Sequence, residues 1–181
     1  MEAQHADRFG VLPSSWRIRK VGDLCSVGTG GTPNTKFPEY YEPATIDWIK
    51  SGDVKGFYIR SAAHKISVAG VKNSAATPHP HGTVLMAMSG RGKTRGTTAI
   101  LRIEAACSQS VAAIVPGAEI SSEFLHFQFV KRYPEIRAIT GNDDRSGLNM
   151  SLIRDIDLIA PPLMEQRKIA AVLGVVQRAI E

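Results

Sequence analysis

Met86-Ala-Met-Ser-Gly-Arg-Gly-Lys-Thr-Arg-Gly-Thr-Thr-Ala-Ile-Leu-Arg-Ile-Glu-Ala-Ala-Cys107 is the stretch on which the reading of this chain turns. An apolar run over residues 84–88 leads in, and a second over 97–103 leads out. Between them Gly90, Gly92 and Gly96 alternate with Arg91, Lys93 and Arg95. Both flanks read as strands, the second because it is Gly-broken and β-branched. Three cations on a small-residue loop between strands suit phosphate. That phosphate belongs either to a nucleotide or to a nucleic acid.

The charge pattern favours a nucleic acid. Residues 54–103 contain no Asp or Glu, but hold Lys55, Arg60, Lys65, Lys72, Arg91, Lys93, Arg95 and Arg102. The formal net charge of the whole chain is only +5, so the positive charge is segregated. Segregated charge is the footprint of a polyanion partner, and the competing reading is a solvated basic face.

The nucleotide reading fails on context. Gly90-Arg-Gly-Lys-Thr94, preceded by Ala87, nearly satisfies the phosphate-loop pattern and follows a strand, so it stands as the alternative. Such a loop must open a helix whose N-terminus holds the phosphates. A strand follows here instead, and no later apolar strand ends in an Asp that could hold magnesium.

Outward from this centre, the 181 residues suffice for one domain with a proper core. Cys25 and Cys107 make no disulfide framework, which fits a reducing, cytoplasmic setting. No apolar run approaches the roughly 20 residues that span a bilayer, so no membrane partner is expected. Residues 1–10 are polar, lack a signal-peptide core and read as a flexible tail. His64, His79 and His81 have no Cys or carboxylate at ligand spacing, so no metal site is expected; His79 and His81 read as an exposed turn. No nucleophile elbow, catalytic Cys–His pair or dinucleotide fingerprint is present, and the chain reads as a binder that does not catalyse.

In order, strands are expected near residues 16–21, 24–27, 45–49, 110–115 and 156–159. Residues 28–36 read as a loop by composition, and 50–53 as a turn. Ser67 caps a short helix over 67–75. Ser121 or Ser122 caps a longer one over 121–133, with Phe124, Leu125, Phe127 and Val130 as its core stripe and Pro134 as its interruption. Residues 141–147 read as a loop. A last helix begins at Leu163, and its Ile169, Leu173, Val176 and Ile180 repeat at four, three and four. That seam is either packed on its own domain or the start of a longer coiled coil.

Taken together, these motifs resemble the target-recognition domain of a type I restriction–modification DNA specificity subunit. Leu12-Pro-x-x-Trp16 with Val21-Gly-Asp-Leu24 resembles the family's opening. Gly30-Gly-Thr-Pro-Asn-Thr35, Tyr40-Tyr41 and Ile46-Asp-Trp-Ile-Lys-Ser-Gly-Asp53 resemble its most recognisable block. Gly82-Thr-Val-Leu-Met86 matches the strand before its basic loop. Cys107-Ser-Gln-Ser-Val-Ala-Ala-Ile114 resembles its Asn-Gln block, with Ser108 where Asn is commoner. Leu148-Asn-Met-Ser-Leu152, then Ile156 to Leu163, Glu165-Gln166 and Ile169 resemble the junction into its long helix. A complete subunit carries two such domains and two long helices, whereas this chain carries one domain and the start of one helix.

The resemblance implies an α+β fold: a single mixed α/β recognition domain with a twisted sheet over residues 11–162, then the start of a coiled-coil-type spacer or dimerisation helix over 163–181. It implies a module that reads one half of a bipartite double-stranded DNA target. It implies methyltransferase subunits that methylate adenine and restriction subunits that cleave as partners, self-dimerisation through the helix, and no cofactor or catalysis in this chain. Lys36, Lys50, Arg91, Lys93 and Arg95 are then expected to bear on DNA, with Arg91 and Arg95 as guanine readers. Asn34 and Gln109 are candidate adenine readers, weighed against satisfying nearby backbone. Arg145 adds a contact from the last loop. Replacing Arg91 and Arg95 together is expected to weaken DNA binding and leave melting unchanged. Trp16 and Trp48 are read as core. Glu165, Gln166, Ile169, Leu173, Val176 and Ile180 are assigned to helix pairing or methyltransferase docking.

Overall fold

The computed structural model describes residues 10–90, 92–141 and 147–180, and of Arg178 and Ile180 the backbone alone. The strands are β1 (Arg17–Lys20), β2 (Cys25–Thr29), β3 (Ile46–Ile49), β4 (Tyr58–Ile59), β5 (His64–Ile66) and β6 (Pro78–His79). They continue as β7 (Val84–Ala87), β8 (Thr98–Leu101), β9 (Ala105–Cys107), β10 (Val111–Pro116) and β11 (Asp157–Ala160). The helices are α1 (Val21–Leu24), α2 (Val68–Lys72), α3 (Ser122–Lys131), α4 (Tyr133–Ala138), α5 (Met150–Arg154) and α6 (Leu163–Ile180).

The continuous apolar runs of β7, β8 and β10 form the middle of a five-stranded sheet of order β2-β10-β7-β8-β4. A strand buried on both faces has no need of polar alternation. Side chains nevertheless alternate between two cores. Val84, Met86, Ile100, Ala112 and Ile114 face a layer that includes Phe124, Leu125, Phe129, Ile136 and Ala170 from the helices. Leu85, Ala87, Ala99, Leu101, Val111 and Ala113 face Ile49, Ala105 and Cys107. The latter belong to a second sheet of order β5-β3-β9-β6. Its outer face packs Trp48, Ile66, Ala76 and Ala106 under Tyr41 and Val71. Both large sheets mix parallel and antiparallel pairs, so the fold is α+β with mixed sheets.

A third ribbon pairs β1 with β11 and so joins the start of the domain to the segment before α6. Gln128 fixes it from the side, donating to Ile159 O at 3.0 Å and accepting from Ile159 N at 2.8 Å.

The capped helices form where expected. Ser67 Oγ accepts from Gly70 N at 3.0 Å and Ser121 Oγ from Phe124 N at 3.2 Å. Three details differ. Pro134 does not merely end α3; it sits in the first turn of α4, where its missing N–H is harmless. The inward side of α3 carries Phe124, Leu125, His126 and Phe129, whereas Val130 is 50% exposed. That helix packs on both β8 and α6, so its buried side is broader than one stripe. His79 lies in β6, half-buried, while His81 alone is exposed. The tail expected over residues 1–10 falls outside the described residues except for Gly10.

Candidate nucleic-acid interface

Strand register brings distant loops to one end of the two sheets. Thr29, at the end of β2, pairs with Ala112 near the start of β10, and Val111 pairs with Ala87 at the end of β7. Ile49, at the end of β3, lies beside Cys107 at the end of the parallel β9. Hence residues 30–36, 50–55, 88–90 with 92–97, and 108–110 all emerge together.

Hydrogen bonds stitch them into one surface. Met88 N donates to Ser110 O at 2.9 Å and Ser108 N to Ile49 O at 2.9 Å. Gly31 N donates to Cys107 O at 3.0 Å, and Thr97 Oγ1 to Val54 O at 2.7 Å. A fifth segment joins when Leu148 N donates to Met88 O at 2.8 Å. The Gly30-Gly31 pair is dictated by this packing. A Cβ on Gly30 would lie 1.7 Å from Cys107 O, and one on Gly31 would lie 2.9 Å from Ala75.

On this surface Asn34, Lys36, Lys93 and Gln109 are exposed. Asn34 Oδ1 accepts from Lys36 N at 3.0 Å, which shapes its turn. Gln109 Oε1 accepts from Thr32 Oγ1 at 2.5 Å, so the first and fourth loops meet side chain to side chain. The half-buried Lys50 holds its ammonium 5.0 Å from the Trp48 ring centroid, while Asp53 accepts from its backbone N at 2.9 Å. Lys55 is exposed beside the base of the central loop and joins the set. Its only sequence signal was membership of the acid-free segment. Arg91 and Arg145 lie outside the described residues.

Arg95 is not a surface residue. It is 4% exposed and donates to Gly141 O at 3.3 Å. The loop turns its guanidinium inward because Gly90, Gly92 and Gly96 all have positive φ, which coils the chain back on itself. This burial corrects the expectation that Arg95 reads guanine. The same loop delivers no helix: after Lys93 the chain turns through Gly96 into β8, which removes the phosphate-loop alternative.

The acid-free segment does not form one face either. Lys65 pairs with Asp47 at 3.1 Å, and Arg102 pairs with Glu123 at 3.2 Å while lying 4.0 Å from the Tyr58 ring centroid. Arg102 follows β8, at the opposite end from the loops. Charge segregated in sequence is therefore partly neutralised by acids from elsewhere in the chain.

The helix residues divide. Gln166 is fully buried, accepting from Ser121 N at 3.0 Å and donating to Glu119 O and Pro161 O, each at 2.8 Å. It ties α6 to its own domain, which corrects its assignment to a partner. Glu165 accepts from Trp16 Nε1 at 2.9 Å, so half-buried Trp16 is a tie to α6, while Trp48 is core at 4% exposure. Ile169 packs on the helical core. Leu173 and Val176 are 39% and 56% exposed, and the Ile180 side chain lies outside the described residues. A cleft of about 780 Å³ opens between α6 and the Phe57–Tyr58 corner.

Burial pushes the Cys25 and Cys107 thiols up to about 11 and about 12, so neither is a reactive thiolate. His126, its Nδ1 3.0 Å from Thr98 Oγ1 and its ring edge-on to Phe57, is driven by burial down to about 4. Among the described residues no group of three or more His, Cys, Asp or Glu could hold a metal, and no helix is long and apolar enough to cross a membrane.

Comparison with known proteins places this geometry. The type I restriction enzyme MjaIX specificity subunit of Methanocaldococcus jannaschii is 30% identical over 178 residues, covering 96% of this chain and 40% of that protein. The chain thus spans about 40% of the length of this relative. A chain of a type I R-M system has the same fold at a TM-score of 0.75, 19% identical over 99% of this chain and 43% of that one. The HsdS subunit from Thermoanaerobacter tengcongensis matches at 0.71, 20% identical over 95% of this chain and 40% of its own. Residues 13–181 match the type I restriction modification DNA specificity domain, and the chain belongs to that family.

Proposed function

We propose that residues 11–162 read one half of a bipartite double-stranded DNA target through the five-loop surface. The observation that carries this reading is the hydrogen-bonded convergence of loops bearing Asn34, Lys36, Lys50, Lys55, Lys93 and Gln109. The lysines meet phosphates and fix register; amide side chains and any arginine of the surface meet base edges. Gln109, held by Thr32, and Asn34 are the adenine-reading candidates. Arg91 and Arg145 remain candidates from their place in the sequence. Arg95 supports the loop from within.

The chain does not itself catalyse; it directs adenine methyltransferase and restriction subunits in the cytoplasm. Residues 163–181 begin a spacer helix. Leu173 and Val176, left exposed beside the docked Ile169, continue a seam for a second helix, from another copy or from a longer chain.

The test is selection from a randomised duplex pool at two salt concentrations, with magnesium–ATP binding measured in parallel. An enriched short motif with salt-dependent affinity supports the reading. Non-selective affinity alone, in the region of 10⁻⁴–10⁻⁶ M, assigns sequence choice to a further helix or to partner subunits. No duplex binding overturns it.

A further inference from the structure

Helix α4 grips the basic loop by its backbone. The Tyr133 hydroxyl donates to Lys93 O. Arg137 Nη1 donates to Arg95 O at 3.0 Å and to the Tyr133 hydroxyl at 3.2 Å, and its guanidinium lies 5.4 Å from the Tyr133 ring centroid. Gly96 presses on the same helix. A Cβ there would lie 3.4 Å from Arg137 Cγ, and 3.6 Å from both Ile136 Cγ2 and Tyr133 Cδ2. Arg95 in turn donates to Gly141 O, where the 141–147 segment begins. Two carbonyls of the central loop are thus fixed to α4, and Gly141 is tied to the same loop. The Lys93 side chain stays exposed.

We propose that Tyr133 and Arg137 are positioning residues for DNA recognition: they hold the 88–97 loop in the shape that meets base edges, and touch no DNA themselves. This rests on the DNA reading above. Glycine has more conformational freedom to lose on ordering than any other residue, and this loop carries three. Fixing its carbonyls before the partner arrives removes that cost from binding. A loosened loop still offers its charge to phosphates, which demand little geometry, but loses the fixed placement that base edges require. The clamp therefore acts on selectivity and leaves non-selective affinity alone.

The full 181-residue chain serves for the test. Tyr133→Phe removes one donor and keeps the ring; Arg137→Met removes the other; Arg137→Lys keeps a donor. The probes are duplexes selected by the parent from a randomised pool, and the unselected pool. Tyr133→Phe and Arg137→Met are expected to bind selected duplexes about five-fold more weakly each, the worth of one ordinary hydrogen bond. Binding of the unselected pool and the log–log salt slope stay unchanged, because no phosphate-neutralising cation facing DNA is lost. Arg137→Lys recovers most of the deficit. Amide hydrogen exchange rises in the central loop and not in β7 or β8.

Unchanged affinity for selected duplexes in both variants overturns the proposal. So does an equal fall in both affinities accompanied by a lower melting midpoint, which marks a purely structural role. A parent that binds no duplex fails the DNA-recognition reading and takes this inference with it, and a parent that binds without enriching a sequence overturns this inference alone. An enriching parent with indifferent variants fails this inference alone.

Discussion

Lys93 and Arg95 sit two residues apart on one loop, the first exposed and the second at 4% exposure. Their replacements should therefore separate. Lys93→Ala should lower duplex affinity and reduce the log–log salt slope by about 0.9, with melting unchanged. Arg95→Ala should lower the melting midpoint by roughly 5 °C, as loss of a buried charged donor costs about 1.5–3 kcal/mol. Salt titrations and thermal melts on both variants check this. Gly30→Ala is expected to destabilise by about 3 kcal/mol or more, because the new Cβ meets the Cys107 carbonyl and not a flexible side chain. A denaturant titration measures it. His126 gives a pH signature. Its folded value, near 4, lies below its unfolded value near 6.5, so below 6.5 the unfolded chain binds the proton first. Stability should be full above pH 6.5 and fall by about 3 kcal/mol toward pH 4. His126→Gln should flatten that slope in chemical denaturation at pH 7 and pH 4.5. Residue type alone showed none of this: an Arg among glycines reads as surface, and only tertiary packing turns it inward.

Local chemistry was legible at the scale of elements wherever it was strong. Ser67 announced its cap, the Ser121-Ser122 pair announced the next, which is Ser121, and the apolar run before Pro116 announced β10. Strands β4, β5, β6 and β9 span two or three residues each, too short for any period to register. Helix α4 was hidden behind Pro134, which reads as a stop and here is a start. The start of α6 at Leu163 was legible, but Gln166 was not legible as an anchor, because its three bonds reach Ser121, Glu119 and Pro161. Gln166→Leu leaves those groups unsatisfied. It should cost about 2–3 kcal/mol and expose α6 to limited proteolysis before the sheets unfold. If α6 is cut no faster than in the parent, Gln166 is not its anchor.

Across the whole molecule, the loop surface and the last helix occupy different places. Loops meet at one end of the sheets, while α6 leaves beside α3 on the helical layer. Motif order in the sequence named the loops, but their meeting depends on the β2–β10–β7 and β3–β9 registers, which no single stretch encodes. Net charge over residues 54–103 overstated the basic face, because Asp47 and Glu123 return from outside the segment to pair with Lys65 and Arg102. What the proposed DNA reading retains is a smaller set of lysines on converging loops. The most direct measurement is the salt dependence of duplex binding by the parent and by a Lys36→Ala, Lys50→Ala, Lys93→Ala triple variant. The account predicts a parent slope that falls by about 0.9 for each lysine removed, with unchanged melting. Equal slopes and equal affinities in parent and variant would contradict it and move the DNA contact elsewhere on the molecule.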